Sequence, residues 1–255
     1  METSGAIKDI TAVILCGGLG TRLRPAVQDR PKSMALIASR PFLEYQIGWL
    51  RDNGIEDVVL CTGYMGETIR DHFGNGSNFG LSVRYSRERE ALGTAGALKD
   101  SRDFINGNTF FVLNGDSAVE VDLVELLSAH RRQNSAATLT VAKSDRTDRY
   151  GHVQLDREDR VTAFSEKQAS EPQFSSAWGW INGGVYLFEG PVISLIPPAP
   201  PAVSLETFVL PKLIGKGLHG FRSEGYFIDI GLPEDFERAQ EELPRRYGYV
   251  LANTR

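Results

Sequence analysis

The sequence predicts an α/β fold, a doubly wound and mostly parallel sheet in an αβα sandwich, and three observations carry that prediction. Short apolar runs read as buried strands, and stretches with helical apolar spacing separate them, from residue 11 to about 145. Helices between successive strands demand crossovers and hence parallel pairing. After about residue 145 the texture changes to strands joined by short turns, which predicts a smaller, partly antiparallel region. At 255 residues and 28.1 kDa the chain has ample size for a real core.

The elements follow in order. "TAVILC" is the first strand. In "PFLEYQIGWLRDNG" Phe42, Leu43, Ile47 and Leu50 recur at helical spacing, Pro41 starts the helix and Gly54 stops it. "DVVLCT" is a strand, "GETIRDHFG" a helix, "LSVRYS" a strand, "TAGALKDSRDFI" a helix and "TFFVLNGD" a strand. "LVELLSAHRRQ" is a helix and "ATLTVA" a strand. "GHVQLD", "RVTAFSEK" and "WINGGVYLFEG" are the strands of the smaller region. "PPAPP" (Pro197–Pro201) is a rigid break before the expected helix "LETFVLPKLIGKG", and "GYFIDIG" and "PEDFERAQEEL" are the last strand and helix. One domain spanning 1–255 is expected, with halves at about 11–145 and 146–243 and a tail at 244–255.

Composition narrows the classes of function. Hydrophobic residues make up 41% and charged residues 24%, an ordinary globular balance. Thirty-three acidic against 28 basic side chains give a net charge of −5, which argues against a general nucleic-acid binder. Any anion must therefore be held by a local cationic cluster. No apolar run is long enough to cross a bilayer and no signal peptide is seen, so a cytoplasmic protein without a membrane partner is expected. Cys16 and Cys61 each end an apolar run and read as buried, inert thiols in neighbouring strands. The four histidines show no zinc-ligand spacing.

"CGGLGTRLRPAVQDRPK", residues 16–32, is the stretch with chemical content. A Walker A loop fails, because Lys32 follows a proline and has no glycine beside it. A dinucleotide fingerprint is incomplete: Leu23 holds the third glycine position, Pro25 and Pro31 block a helix, and the second strand ends without an acid. A loop around a nucleoside triphosphate fits better. Gly17, Gly18 and Gly20 let the backbone approach a ligand, and Arg22, Arg24, Arg30 and Lys32 supply positive charge. The ordinary alternative is a glycine-rich turn with a solvated basic face.

Gly17-Gly18-x-Gly20-Thr21-Arg22-Leu23 followed by Pro31-Lys32 resembles the signature of the sugar-1-phosphate nucleotidyltransferases, and further motifs continue the resemblance to about Leu243. It implies a Rossmann-like nucleotide-binding half, a sugar-binding half, and transfer of a nucleotidyl group to a sugar 1-phosphate with release of pyrophosphate. Arg22 and Lys32 then become the catalytic cations. Leu15, Gly17, Gly18, Gly20 and Thr21, with Gly93 and Thr94 of "LGTAG", become nucleotide contacts. Asp116 in "LNGD" and Asp229 in "FIDIG" match the ligands of a Mg²⁺ ion, although either carboxylate alone equally suits a helix cap. Tyr150, Gly151, Glu166, Lys167, Asn182 and Gly183 resemble the sugar-phosphate positions. Trp178 and Trp180 are candidates for the same pocket, or ordinary core residues.

Within that family, "ALGTAGAL" resembles the guanylyl-transferring branch, and no glutamine lies between Glu88 and Lys99 to read a pyrimidine edge. "RPFLEYQIGWLRDNGIEDVVLCTGY", "IRDHFGN" and "FIDIGLPEDFERAQ" resemble the members of that branch that act on heptose phosphates. The implied partners are GTP and a manno-configured heptose 1-phosphate. Mannose 1-phosphate with GTP, or uridylyl transfer to an N-acetylated amino sugar, is the alternative. The oligomeric state stays open, a homo-oligomer included. Ser33 departs from the family's commoner proline or glutamine, and no second domain is expected after Leu243. A glycosyltransferase would carry Asp-x-Asp, whereas Asp116-Ser117-Ala118 stands here. A regulatory relative without activity would be expected to have lost Arg22, Lys32 or an aspartate, and all are present.

Overall fold

The computed structural model describes residues 5–18, 20, 23, 29–145, 150–165, 178–198 and 200–247. The described elements begin with α1 (Gly5–Lys8), β1 (Thr11–Leu15), a 3-10 turn (Lys32–Met34) and the small hairpin β2 (Leu36–Ile37) and β3 (Arg40–Pro41). Then come α2 (Phe42–Asp52), β4 (Asp57–Thr62), α3 (Gly66–Phe73), β5 (Ser82–Arg87), α4 (Gly93–Asp100), β6 (Thr109–Asn114), β7 (Ser117–Val119) and α5 (Leu123–Arg132). The remainder is β8 (Ala137–Ser144), β9 (His152–Leu155), β10 (Val161–Ser165), β11 (Gly179–Glu189), α6 (Leu210–Leu213), β12 (Leu218–Ser223), β13 (Phe227–Asp229) and α7 (Pro233–Arg246).

Nine strands form one twisted sheet along β10-β9-β11-β6-β1-β4-β5, with β8 beside β11 and β12 beside β8. The β6-β1-β4-β5 pairs and β8-β12 are parallel, and β11 runs antiparallel to its neighbours. The α/β, mostly parallel expectation therefore holds. The later, partly antiparallel strands join the first sheet through β11, which pairs with β6. Its run Val185–Phe188 is buried residue after residue, which a strand covered on both faces requires.

Two apolar clusters fill the two faces of this sheet, one containing Ile47, Ile69 and Leu126 of α2, α3 and α5, the other Leu98 and Leu210 of α4 and α6. A third, small cluster joins Leu23, Ala35, Ile37 and Phe42 to Ile228, Ile230, Ala239 and Leu243. It lies under α7 and holds the segments that carry Lys32 and Asp229.

Three local expectations change. The helix expected over "TAGALKDSRDFI" stops at Asp100, where the Ser101 hydroxyl donates back to the Leu98 carbonyl at 2.8 Å. "LETFVLPKLIGKG" becomes a π-helical turn (Leu205–Val209) and the four-residue α6, because Pro211 has no N–H for a continuous ladder. Asp116 caps no helix. The cap of α5 is Asp122, which accepts from the N–H groups of Val124 and Glu125. Both cysteines are buried as expected; burial pushes the Cys61 thiol up to about 12.

Candidate active site

The carboxyl ends of β1, β4, β5 and β6 open onto one cleft of about 1070 Å³, where ligands of open α/β sheets bind. Its walls include Leu15, Gly18, Gly63, Tyr64, Glu88, Gly93, Thr94, Asn114, Asp116 and Glu206. The three loop glycines have different duties. A side chain on Gly17 would collide with Glu88 Oε1, so this glycine makes room for protein. Gly20 has φ +58° and lies against the Lys32 Cβ, where an added Cβ would stand 2.9 Å away. Gly18 faces open space, with nothing within 4 Å of an added Cβ, and Gly17 and Gly18 both line the cleft.

At one end of the cleft the ammonium of Lys32 donates to Asp116 Oδ2 at 2.6 Å and to Asp229 Oδ1 at 3.5 Å. Each partner is positioned by its own device. Pro31 sets the entry to the 3-10 turn that begins with Lys32. Gln46 of α2 donates one amide to both the Asn114 and Ser117 carbonyls, at 2.8 Å each, and so clamps the turn carrying Gly115 and Asp116. The ribbon β7-β13 pairs Asp229 with Ser117, and the Ile230 N–H donates to the Asp116 carbonyl at 2.9 Å. The Gly231 N–H holds Asp229 Oδ1 at 2.7 Å, and the missing side chain of Gly231 leaves space for the Lys32 ammonium.

Two carboxylates around one ammonium leave a net negative charge. Both are within 3.5 Å of the same nitrogen, so a cation replacing that ammonium would find hard oxygen donors from each side. This donor set fits a Mg²⁺ ion, which takes one or two protein carboxylates and completes its shell with phosphate oxygens and water. Among the described residues no group of three or more metal-ligating side chains competes with this site.

The other end of the cleft is built by the turn before α4. Gly93 has φ +75°, and an added Cβ would lie 2.5 Å from the Val203 carbonyl oxygen. The Thr94 hydroxyl donates to Glu206 Oε2 and accepts from the Leu205 N–H, both at 2.8 Å. Thr94 thus lines the cleft while its hydroxyl ties α4 to residues 204–206. Glu88 accepts from the Leu92 N–H at 3.0 Å, and burial pushes its carboxyl above the usual glutamate range.

Tyr150, Gly151, Asn182 and Gly183 come together but do not form the wall of this cleft. The Asn182 N–H donates to the Gly151 carbonyl at 3.0 Å, and its side-chain amide donates to the Tyr186 hydroxyl at 2.7 Å. Tyr186 in turn donates to Glu206 Oε1 at 3.5 Å, linking this group to the cleft. The Tyr150 hydroxyl donates to the buried Asp235 at 2.9 Å, and its ring meets Phe227 edge-on. Trp178 is exposed, while Trp180 is half-buried with the Arg222 guanidinium 5.7 Å from its ring. Thr21, Arg22, Glu166 and Lys167 lie outside the described residues.

Sequence reasoning passed over Glu88, Gly63, Glu206 and Gln46. Gly63 directly follows an expected strand and Glu88 comes two residues after another, which was a usable signal. Gln46 and Glu206 lie within helical-looking runs and gave none.

Residues 11–246 match the family model described as nucleotidyl transferase. The chain is 38% identical to the D-glycero-alpha-D-manno-heptose 1-phosphate guanylyltransferase of Aneurinibacillus thermoaerophilus, over 91% of this chain and 97% of that one. It is 37% identical to the mannose-1-phosphate guanylyltransferase of Mycobacterium tuberculosis, over 94% of this chain and 66% of that longer protein. The crystal structure of HddC from Yersinia pseudotuberculosis, 32% identical, superimposes with a TM-score of 0.78 over 91% of this chain and 99% of that one. HddC has also been solved complexed with GMP-PN, and that structure superimposes equally well.

Proposed function

The chain belongs to the nucleotidyl transferase family, and from that membership we propose that it couples a sugar 1-phosphate to GTP, giving a GDP-sugar and pyrophosphate. The proposed sugar substrate is D-glycero-α-D-manno-heptose 1-phosphate, with mannose 1-phosphate as a slower one. The observation that carries the reading is the meeting of Lys32, Asp116 and Asp229 at one end of a cleft floored by Gly18. The heptose choice is supported by the Aneurinibacillus thermoaerophilus relative, whose match to this chain spans 97% of its own length.

In the proposed reaction an oxygen of the sugar phosphate attacks the α-phosphorus of GTP. The new P–O bond forms as the bond from the α-phosphorus to the pyrophosphate oxygen breaks, and the electron pair leaves with pyrophosphate. The attacking phosphate is ionised at neutral pH, so no general base is needed. Two anions must instead be held together and the charge of the transition state offset. Lys32 supplies a fixed positive charge at that point, and Arg22 is proposed as its counterpart on the departing phosphates. Glu166 and Lys167 are proposed to hold the sugar and its phosphate. Asp116 and Asp229 would hold Mg²⁺, which when bound supplies charge neutralisation for phosphate oxygens. We assign the reaction to the cytoplasm, where nucleoside triphosphates are held.

The test is a matrix of nucleoside triphosphates against sugar 1-phosphates, scored by pyrophosphate release. GTP with the manno-configured heptose phosphate is expected to be fastest. Robust release with UTP and none with GTP overturns the base assignment and leaves nucleotidyl transfer standing.

A further inference from the structure

Ser33 is 3% exposed, and its hydroxyl has no hydrogen-bond partner among the described residues. A serine hydroxyl brings one donor and two acceptor positions, and burying it unpaired costs the folded state free energy. An orphan of this kind asks what it is waiting for.

Its position supplies the answer. Ser33 forms part of the wall of a small chamber of about 170 Å³ that adjoins the large cleft; Leu15, Gly18 and Asp116 line both. Gly20, Lys32, Gly115 and Gly231 complete most of the polar wall. At about 170 Å³ the chamber has room for phosphate groups. Glycine backbone, one ammonium and one hydroxyl make a wall suited to an anion once a bound cation offsets the net negative charge that Asp116 and Asp229 leave around Lys32. Ser117 carries another buried hydroxyl without a partner among the described residues, but it lines neither chamber nor cleft.

We propose that this chamber receives the distal phosphates of the nucleotide, and that Ser33 donates its hydroxyl to a non-bridging oxygen of the leaving pyrophosphate. The proposal rests on the nucleotidyl-transfer reading of the cleft. A nucleotide whose base lies toward Glu88 and Gly93 extends its phosphates past Gly18, which borders both spaces. Ser33 then gains the partner it lacks only when pyrophosphate is present. The hydroxyl is neutral and adjoins Lys32 in sequence, so it adds direction to the charge that Lys32 supplies.

The experiment is calorimetric titration of the full chain with inorganic pyrophosphate in magnesium buffer, for wild type and Ser33→Ala, together with the melting temperature of each without ligand. Removing one hydroxyl that donates to a charged oxygen is expected to raise the pyrophosphate dissociation constant about tenfold. Product inhibition by pyrophosphate weakens in proportion, and the KM for the sugar phosphate stays put. Ligand-free Ser33→Ala is expected to melt slightly above wild type, because an unpaired buried hydroxyl is gone. Equal pyrophosphate affinity in the two proteins overturns the role of Ser33 alone. A ligand-free variant that melts well below wild type overturns it too, since the hydroxyl would then be holding the fold. A wild type that binds no pyrophosphate overturns the reading of the cleft as well.

Discussion

Lys32 Nζ lies 2.6 Å from Asp116 Oδ2 across 84 residues of chain, and this ion pair fixes the charge at the centre of the site. Asp229 approaches the same ammonium from the far end of the chain, at 3.5 Å. The lysine stands where a cation between the two carboxylates would stand, so metal and ammonium compete for that position.

Replacing Asp116 or Asp229 by Asn should nearly abolish turnover, by at least about 10²-fold, as expected when a preorganised charge at the reacting phosphate is lost. Melting should change little, because one partly exposed charge is removed from a site that keeps its hydrogen-bonded frame. EDTA should silence the wild type in the same assay. Full activity in Asp229→Asn overturns its assignment to the metal.

Lys32→Met removes the ammonium from between the two carboxylates. The ligand-free variant should melt lower than wild type at neutral pH, and Mg²⁺ should raise its melting temperature more than that of the wild type, which must first release its ammonium. The kcat should fall about 10²–10³-fold if Lys32 stabilises charge in the transition state. An unchanged response to Mg²⁺ counts against competition between lysine and metal.

Glu88 bears on the choice of base. An ionised carboxylate matches the adjacent N1–H and amino donors of guanine, whereas the single N3–H of uracil is flanked by two carbonyl oxygens. Burial raises the Glu88 carboxyl, so it takes up its proton at a pH where an ordinary glutamate, near 4.3, is still ionised. The KM for GTP should therefore rise as pH falls from neutral toward that raised value. Glu88→Gln should show a raised KM for GTP at neutral pH, by about tenfold for one charged hydrogen bond, and a flatter pH profile. Identical profiles for the two proteins would remove Glu88 from the base site.

His130 gives the fold its own pH dependence. It is 1% exposed, its ring nitrogens face the Thr138 hydroxyl at 2.8 Å and Glu189 Oε1 at 3.1 Å, and burial holds its pKa below the usual value despite the glutamate. Below about pH 6.5 the unfolded chain takes a proton that the folded chain resists, so stability declines as pH falls through that value. His152 is shifted the same way by burial and adds to the trend. Melting temperature followed from pH 7.5 to 5.5 should fall less steeply in His130→Gln than in wild type. Parallel curves would show that the decline has another source.

Leu243 of α7 is fully buried in the small cluster that also holds Ala35, Ile37, Ile228 and Ile230. Leu243→Ala should cost about 2–5 kcal/mol of stability, the usual range for such a cavity. Because that cluster supports both the Lys32 and the Asp229 segments, Mg²⁺ affinity should weaken in the same variant. A destabilised variant with wild-type Mg²⁺ affinity would show that the ribbon β7-β13 holds the site without α7.

The run of strands and helices from β1 to α5 was legible because it is written in local periodicity. Continuous apolar runs specify buried strands, and helical spacing with proline and glycine punctuation specifies the helices between them. Strand β12 was not legible. "LHGFRS" holds a glycine and two side chains that ionise, and it becomes a strand because β8 offers a parallel edge. β11 is the strand of a partly antiparallel region that its sequence predicts, and its further pairing with β6, which joins that region to the first sheet, is a long-range contact that no local pattern records.

The sequence by itself determined the chain's elements, its glycine-rich loop and, through resemblance, its family and the identity of Lys32, Asp116 and Asp229 as residues of interest. Tertiary structure alone decided that their charges meet at one point, that Gln46 clamps the turn beneath them, that an added Cβ would meet open space at Gly18 but Glu88 at Gly17, and that the buried Ser33 hydroxyl has no partner among the described residues. The physical reason is range. Element type follows from neighbours a few residues apart, whereas Lys32 reaches Asp229 across 197 residues, and such a contact is set by strand order and by the packing of α7.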